Sequence, residues 1–258
     1  MLELEQIESF YPSHLRSFKV NLLREYLQYK ILEIIYDSKF GKNMVFMGGT
    51  AVHLLHGNPR FSEDLDFDNL NLNESAFREL SRHVQTCLER EGYSIEIKNV
   101  LKKTYRSYIR FRKILFNNRL SKHKAENLLM QIDSEPQRFS YKPDRRILNK
   151  FDVFLQILAA PPDLLLAQKM VCLFKRPRPM GRDFHDIVFL MGKTKPNLAY
   201  IKAKLAIENA AELKSAILKH CQKLDLKRLA KDAAPFLFYP DDQKKILLFE
   251  AYIRSYSF

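Results

Sequence analysis

Residues 46–68, FMGGTAVHLLHGNPRFSEDLDFD, constrain this chain more than any other stretch. A Gly-Gly-Thr turn is followed by a short helical segment and then by an alternating Asp-Leu-Asp-Phe-Asp run. On a strand, side chains at i and i+2 share a face, so Asp64 and Asp66 project together, about 7 Å apart at the backbone. Asp68 follows on that face, and Leu65 and Phe67 point the other way, where they can anchor a core. Like charges this close repel unless a cation lies between them. Magnesium takes a few carboxylates together with phosphate oxygens, so the pair reads as half a metal site. The alternative is a solvated edge strand, and an Asp-x-Asp triplet alone does not decide between them. The context favours the metal site, because a single helix separates the acidic run from the glycine turn and returns the chain to the sheet.

Gly48 and Gly49 carry no Cβ, so the backbone there can approach a phosphate closely. Their N–H groups, with the start of a helix over residues 51–56, would form an anion nest. Thr50 can add a hydroxyl donor or cap the helix. Arg60 and Ser62 lie in the loop that leads to the carboxylates. Arg60 can meet a phosphate, brace Asp64 or remain a surface arginine. His53 and His56 have metal-binding spacing, but packing and helix capping suit them better.

Two-metal phosphoryl transfer usually needs a third carboxylate. In LLMQIDSEP, Leu128, Met130 and Ile132 alternate toward a core, which leaves Asp133 on the opposite face at a strand end. Asp133 is the candidate, with Glu135 a weaker one. A turn-capping role for Asp133 fits this segment equally well.

The chain has 258 residues, enough for two domains, with 43 Lys and Arg against 30 Asp and Glu, a net charge of +13. Such a surface favours a polyanionic partner through counterion release. Cys87, Cys172 and Cys221 are widely spaced, with no CxxC pair, which fits a reducing cytoplasm better than a disulfide framework or a structural zinc. No apolar run has membrane-spanning length, and MLELEQIESF has no secretory h-region.

Periodicity predicts one amphipathic helix over 13–38, a buried strand over 44–47, a helix over 75–91 and strands over 93–100, 105–116, 127–133 and 151–158. After Pro161-Pro162 the pattern turns helical. This divides the chain into a sheet-bearing domain over 1–160 and a helical domain over 161–258.

GGTAVHLLHGNPRFSEDLDFD closely resembles the AbiEii-type nucleotidyl transferase toxins of bacterial type IV toxin–antitoxin systems. DLLLAQKMVCLFKRPRPMGRDFHDI resembles that family's second motif, an Ala-x-Lys helix, a basic loop and an Arg-Asp-x-x-Asp helix. The likeness spans about residues 40–192. A rather long gap between Gly49 and Asp64 is a departure that this toxin branch tolerates.

The resemblance implies an α+β, polymerase-β-like nucleotidyltransferase fold, a mixed sheet with flanking helices followed by a helical C-terminal domain. It implies Gly48, Gly49 and Thr50 at the triphosphate, with Asp64 and Asp66 as metal ligands and Asp133 as the third acid. Lys169 matches the motif lysine, Arg182 and Asp183 the Arg-Asp, and Asp186 the final aspartate. Asp64, Asp66, Asp133, Lys169 and Asp186 are thus expected to be catalytic. Arg60, Ser62, Lys169, Arg182 and Asp183 are expected around the nucleotide. On residues alone, Lys169 can reach a triphosphate or lie on a solvated face with Gln168, Cys172 and Arg176, and Arg182 can pair with Asp186 at i+4.

The expected activity is Mg²⁺-dependent transfer from a nucleoside triphosphate (NTP), with two ions, to RNA. The expected acceptor is the 3′ end of tRNA, with arrest of translation and a cognate antitoxin as partner. The alternatives are a protein or small-molecule acceptor, or a non-catalytic module that binds nucleic acid or antitoxin.

Overall fold

The computed structural model describes residues 2–257. Seven strands, β1 (Met44–Met47), β2 (Leu65–Asn69), β3 (Ile95–Leu101), β4 (Tyr105–Phe111), β5 (Leu128–Glu135), β6 (Asp144–Lys150) and β7 (Val153–Ala159), form one sheet in the order β3-β4-β5-β2-β1-β7-β6. The sheet is mixed. β2 pairs parallel with β5 and β1 parallel with β7, and every other neighbour is antiparallel.

The helices are α1 (Leu4–Ser9), α2 (Lys19–Tyr36), α3 (Gly48–His56), α4 (Glu74–Arg90), α5 (Ile114–Asn117), α6 (Pro162–Lys175), α7 (Gly181–Met191), α8 (Leu198–Leu205), α9 (Ala210–Cys221), α10 (Leu226–Ala233), α11 (Lys244–Leu247) and α12 (Phe249–Ser255). The chain divides into two compact units. Residues 1–51, 62–138 and 143–159 form the first, and residues 52–61, 139–142 and 160–258 the second.

In the first unit, α2 and α4 pack on the sheet. Alternation places Phe67, Ile109, Ile132 and Ile157 in the core, each at most 2% exposed. Burying such a side chain stabilises the fold by about 1.5–3 kcal/mol. The Tyr36 hydroxyl lies 2.8 Å from the Met44 carbonyl and 2.7 Å from that of Leu158, tying α2 to β1 and β7. Asn73 caps α4 by accepting the Ala76 N–H.

Four expectations differ from what is observed. The strand expected over 105–116 ends at Phe111, and Ile114–Asn117 forms the short helix α5. The helix expected over 13–38 is a 3₁₀ turn at Ser13–Leu15 followed by α2 from Lys19. The helix expected from Ala51 begins at Gly48, so both glycines sit in its first turn. Strand β6 went unpredicted, because DRRILNK buries only Leu148 and carries no alternation to read.

In the second unit, α6 packs against α7 and α8, and α7 against α10. Gly181 opens α7 where a side chain could not fit. A Cβ there would lie 2.8 Å from the Leu229 carbonyl carbon and nearer still to its oxygen. The 52–61 segment joins this unit through a bridge between Arg60 and Leu237 and through bonds from Phe61 N–H to the Phe236 carbonyl (2.8 Å) and from Phe238 N–H to the Pro59 carbonyl (3.0 Å). Among the described residues, no helix is long and apolar enough to cross a membrane.

Candidate active site

The first unit gathers Gly48, Gly49, Thr50, Ser62, Asp64, Asp66 and Asp133. Antiparallel pairing sets Met47 opposite Asp66, so β1 delivers the glycines beside the acidic strand. Gly48 has φ +77°, a conformation that disfavours any Cβ. A Cβ built there would fall 2.7 Å from both Cβ and Cγ of Asp66 and closer to Oδ2. The Asp66 carboxylate therefore occupies the space that glycine leaves open. The acid and the bend form one structural feature.

Asp64 lies just before β2 rather than within it. The Thr50 hydroxyl donates to the Asp64 carbonyl, which fixes the approach to the strand from the first turn of α3. Of the two roles open to Thr50 in the sequence, donor to a ligand or cap to the helix, the bond seen is a third, a brace for the acidic segment.

Parallel pairing of β2 with β5 sets Asp133 beside Asp66, and Glu135 beside Asp68. Asp68 is buried and accepts the Gln137 N–H at 2.7 Å, so it is a structural carboxylate. Asp133 is engaged by Arg106, its partner across β4. Arg106 Nε donates to Oδ1 and Nη2 to Oδ2, both at 2.7 Å. The Asp133 hydrogen bond, which outweighs the cost of burial, pushes the Arg106 guanidinium further toward its charged form. Arg106 was not anticipated from the sequence.

This donor set suits a hard divalent cation. Asp64 and Asp66 offer carboxylate oxygens, and Gly48 leaves the backbone close by. No group of three or more His, Cys, Asp or Glu side chains is gathered to enclose an ion among the described residues. Magnesium normally completes its shell with water and substrate phosphates, so an open pair with a third acid in reserve fits its habit.

The second unit holds Arg60, Lys169, Arg182, Asp183 and Asp186. Arg60 donates from Nε to Asp186 Oδ1 at 2.5 Å and from Nη2 to Oδ2 at 2.6 Å. Asn58 Nδ2 reaches the same Oδ1 at 2.6 Å. Lys169 Nζ lies 2.9 Å from both Asp183 and Asp186. Asp186 is 0% exposed, Arg60 1%, Asp183 3% and Lys169 7%.

Burial would raise the Asp186 carboxyl, but Arg60 and then Lys169 more than offset it and hold it well below the usual carboxylate range. Burial likewise opposes the Lys169 charge, and Asp183 and Asp186 raise it above an ordinary lysine. A solvated face for Lys169 is thereby corrected. It points into a buried charge network, since leaving it or its partners alone in the interior would cost several kcal/mol. The Arg182–Asp186 pairing is corrected too. Asp186 is taken by Arg60, Lys169 and Asn58, and the Arg182 guanidinium lies 4.2 Å from the centre of the Phe236 ring. Nor does Arg60 stand on the surface. Asn58 is a further member that sequence reasoning missed.

His53 Nδ1 lies 2.7 Å from the Asn58 carbonyl, and its ring packs edge-on against Phe238. It serves the same loop.

Two crystal structures from Helicobacter pylori share this fold. JHP933 superposes with a TM-score of 0.56 at 18% identity, over 91% of this chain and 90% of that one. A candidate nucleotidyltransferase superposes with a TM-score of 0.57 at 20% identity, over 90% and 92%. No curated protein matches the sequence. The family model "Nucleotidyl transferase AbiEii toxin, Type IV TA system" matches residues 30–249, most of the chain and both motifs. The chain belongs to the AbiEii family of nucleotidyl transferase toxins of type IV toxin–antitoxin systems, an enzyme family whose members are partnered by an antitoxin.

Proposed function

We propose that this nucleotidyltransferase moves a nucleoside monophosphate from an NTP to the 3′ hydroxyl of an RNA acceptor, tRNA above all, and so arrests translation in the cytoplasm. Asp64 and Asp66 would hold Mg²⁺. Gly48, Gly49 and Thr50, with Ser62 nearby, border the triphosphate. Bound there, Mg²⁺ would neutralise phosphate charge and favour ionisation of the acceptor hydroxyl.

The remaining steps belong to the protein's own groups. The acceptor oxygen bonds to the α-phosphorus, the bond from that phosphorus to the bridging oxygen breaks, and pyrophosphate leaves. Asp133 takes the hydroxyl proton after Arg106 turns away from it, and Arg106 then pairs with a phosphate. In the second unit, Arg60, Lys169, Asp183 and Asp186 act as positioning residues for the loop that connects α3 to the acidic strand. Arg182 and the basic loop at 175–179 meet the polyanion.

The fit between the Asp66 carboxylate and the bare Cα of Gly48 carries this reading, since it couples the metal-binding acid to the phosphate-binding bend. The test is incubation with Mg²⁺, labelled NTPs and total tRNA. Label should enter tRNA with the native chain and fall to background with Asp64→Ala. Equal labelling by both would remove Asp64 from the chemistry, and label in protein instead would redirect the acceptor.

A further inference from the structure

A cavity of about 260 Å³ opens at the C-terminal ends of β2 and β5, past the carboxylate row. Asn69 and Asn71 from the end of β2, Ser134 from β5, Lys102 and Lys103 from the β3–β4 turn, and Arg138 contribute to its wall. Three of the groups on this wall are cations, whereas the Asn69 amide is bonded to Leu72 and the Ser134 hydroxyl to Met44.

Among the described residues, no carboxylate pairs with Lys102, Lys103 or Arg138. The acids at this end are already engaged. Asp68 accepts from Gln137 N–H at 2.7 Å, and Glu135 from the Thr104 hydroxyl at 2.7 Å. Cations gathered around a recess with no carboxylate paired to them repel one another, and a bound anion relieves that repulsion.

The backbone is also held against its preference here. Arg138 has φ +49° and Asn71 φ +66°. Asparagine tolerates the left-handed region, whereas arginine adopts it rarely and at a cost. The Gln137–Asp68 bond fixes the segment that presents Arg138. Strain of this kind tends to gather where ligands are clamped.

We propose that this cavity binds a backbone phosphate of the RNA acceptor. The inference rests on the reading of the acceptor as RNA and adds where its strand is held. At about 3.3 Å per residue, Asn69 lies about 10 Å along β2 from Asp66 and on the opposite face, so an acceptor strand reaches the cavity by rounding the end of the sheet. Lysine and arginine supply point charge and fork, which suits a phosphate oxyanion. Contacts of this kind position a strand without reading its bases.

The test compares the full chain with the K102A/K103A/R138A variant in fluorescence anisotropy with labelled total tRNA across a range of KCl concentrations. All three residues are exposed, so thermal melting should not change. The log–log salt slope should flatten by about 0.7 to 0.9, because the one phosphate that the three cations hold together is lost. K102R/K103R should keep the native slope. NTP affinity by calorimetry should be the same in all forms.

A native slope in the triple variant would overturn the inference and leave the RNA reading intact. Loss of NTP affinity would overturn it in favour of a nucleotide site. A native chain that binds no tRNA at any salt would overturn both.

Discussion

Arg106 on β4 and Asp133 on β5 stand opposite each other and join by two bonds of 2.7 Å, so the acid next to Asp66 carries its own counter-charge. The pair is part-exposed, at 37% and 17%, and solvent screening limits its contribution to stability to at most about 1 kcal/mol. Its weight is electrostatic. It would set how much negative charge a metal bound beside it meets.

Arg106→Gln should therefore melt within a few degrees of the native chain and bind Mn²⁺ more tightly without nucleotide, by about tenfold, because a cation beside the site is gone. Isothermal titration with MnCl₂ measures this. An unchanged affinity would mean that the Arg106 charge is not felt at the ion.

Gly48→Ala should weaken NTP binding and destabilise the fold. The substitution adds a Cβ at φ +77° against Asp66, where backbone preference alone costs about 1 kcal/mol or more. Chemical denaturation and NTP titration together test it. A variant that kept both would show that bend and acid are not coupled.

Asp186→Asn should destabilise the second unit's network by about 3–5 kcal/mol, because Arg60 and Lys169 would be left buried with too little negative charge. For a chain of this size that is roughly 10 °C in melting temperature. Native-like melting with lost transfer would instead give Asp186 a direct chemical role.

His185 provides a pH-dependent contribution. Burial pushes its imidazole down to about 4, with Asp186 and Asp242 favouring the charge and Lys245 and Arg60 opposing it. The folded state thus refuses a proton that the unfolded chain accepts near pH 6.5. The contribution of neutral His185 is fully present above about pH 6.5 and is lost as pH falls toward 4, at up to about 1.4 kcal/mol per pH unit. Denaturant titrations at several pH values should show that slope, and His185→Gln should flatten it. An identical slope in the variant would assign the proton elsewhere.

Much of this was legible in the sequence. Alternation marked β2 and β5, and Gly48-Gly49 ahead of Asp64 and Asp66 marked a tight bend beside the acidic strand, because both signals are local. Arg106 was not legible, since its role depends on the register of β4 against β5, which the sequence does not state. Lys169 among leucines on α6 could read as solvated or as reaching a triphosphate, and neither reading foresees a buried network. That network comes from Asp183 and Asp186, folded onto Lys169 from α7. Asn58 gave no signal at all, being one polar residue in a loop.

The most direct test of the central claim is a crystal soaked with Mn²⁺ and a non-hydrolysable NTP, read by anomalous scattering. A peak should appear at the Asp64 and Asp66 carboxylates, with the triphosphate against Gly48 and Gly49. Nucleotide bound elsewhere, or no anomalous signal at those two acids, would contradict the account.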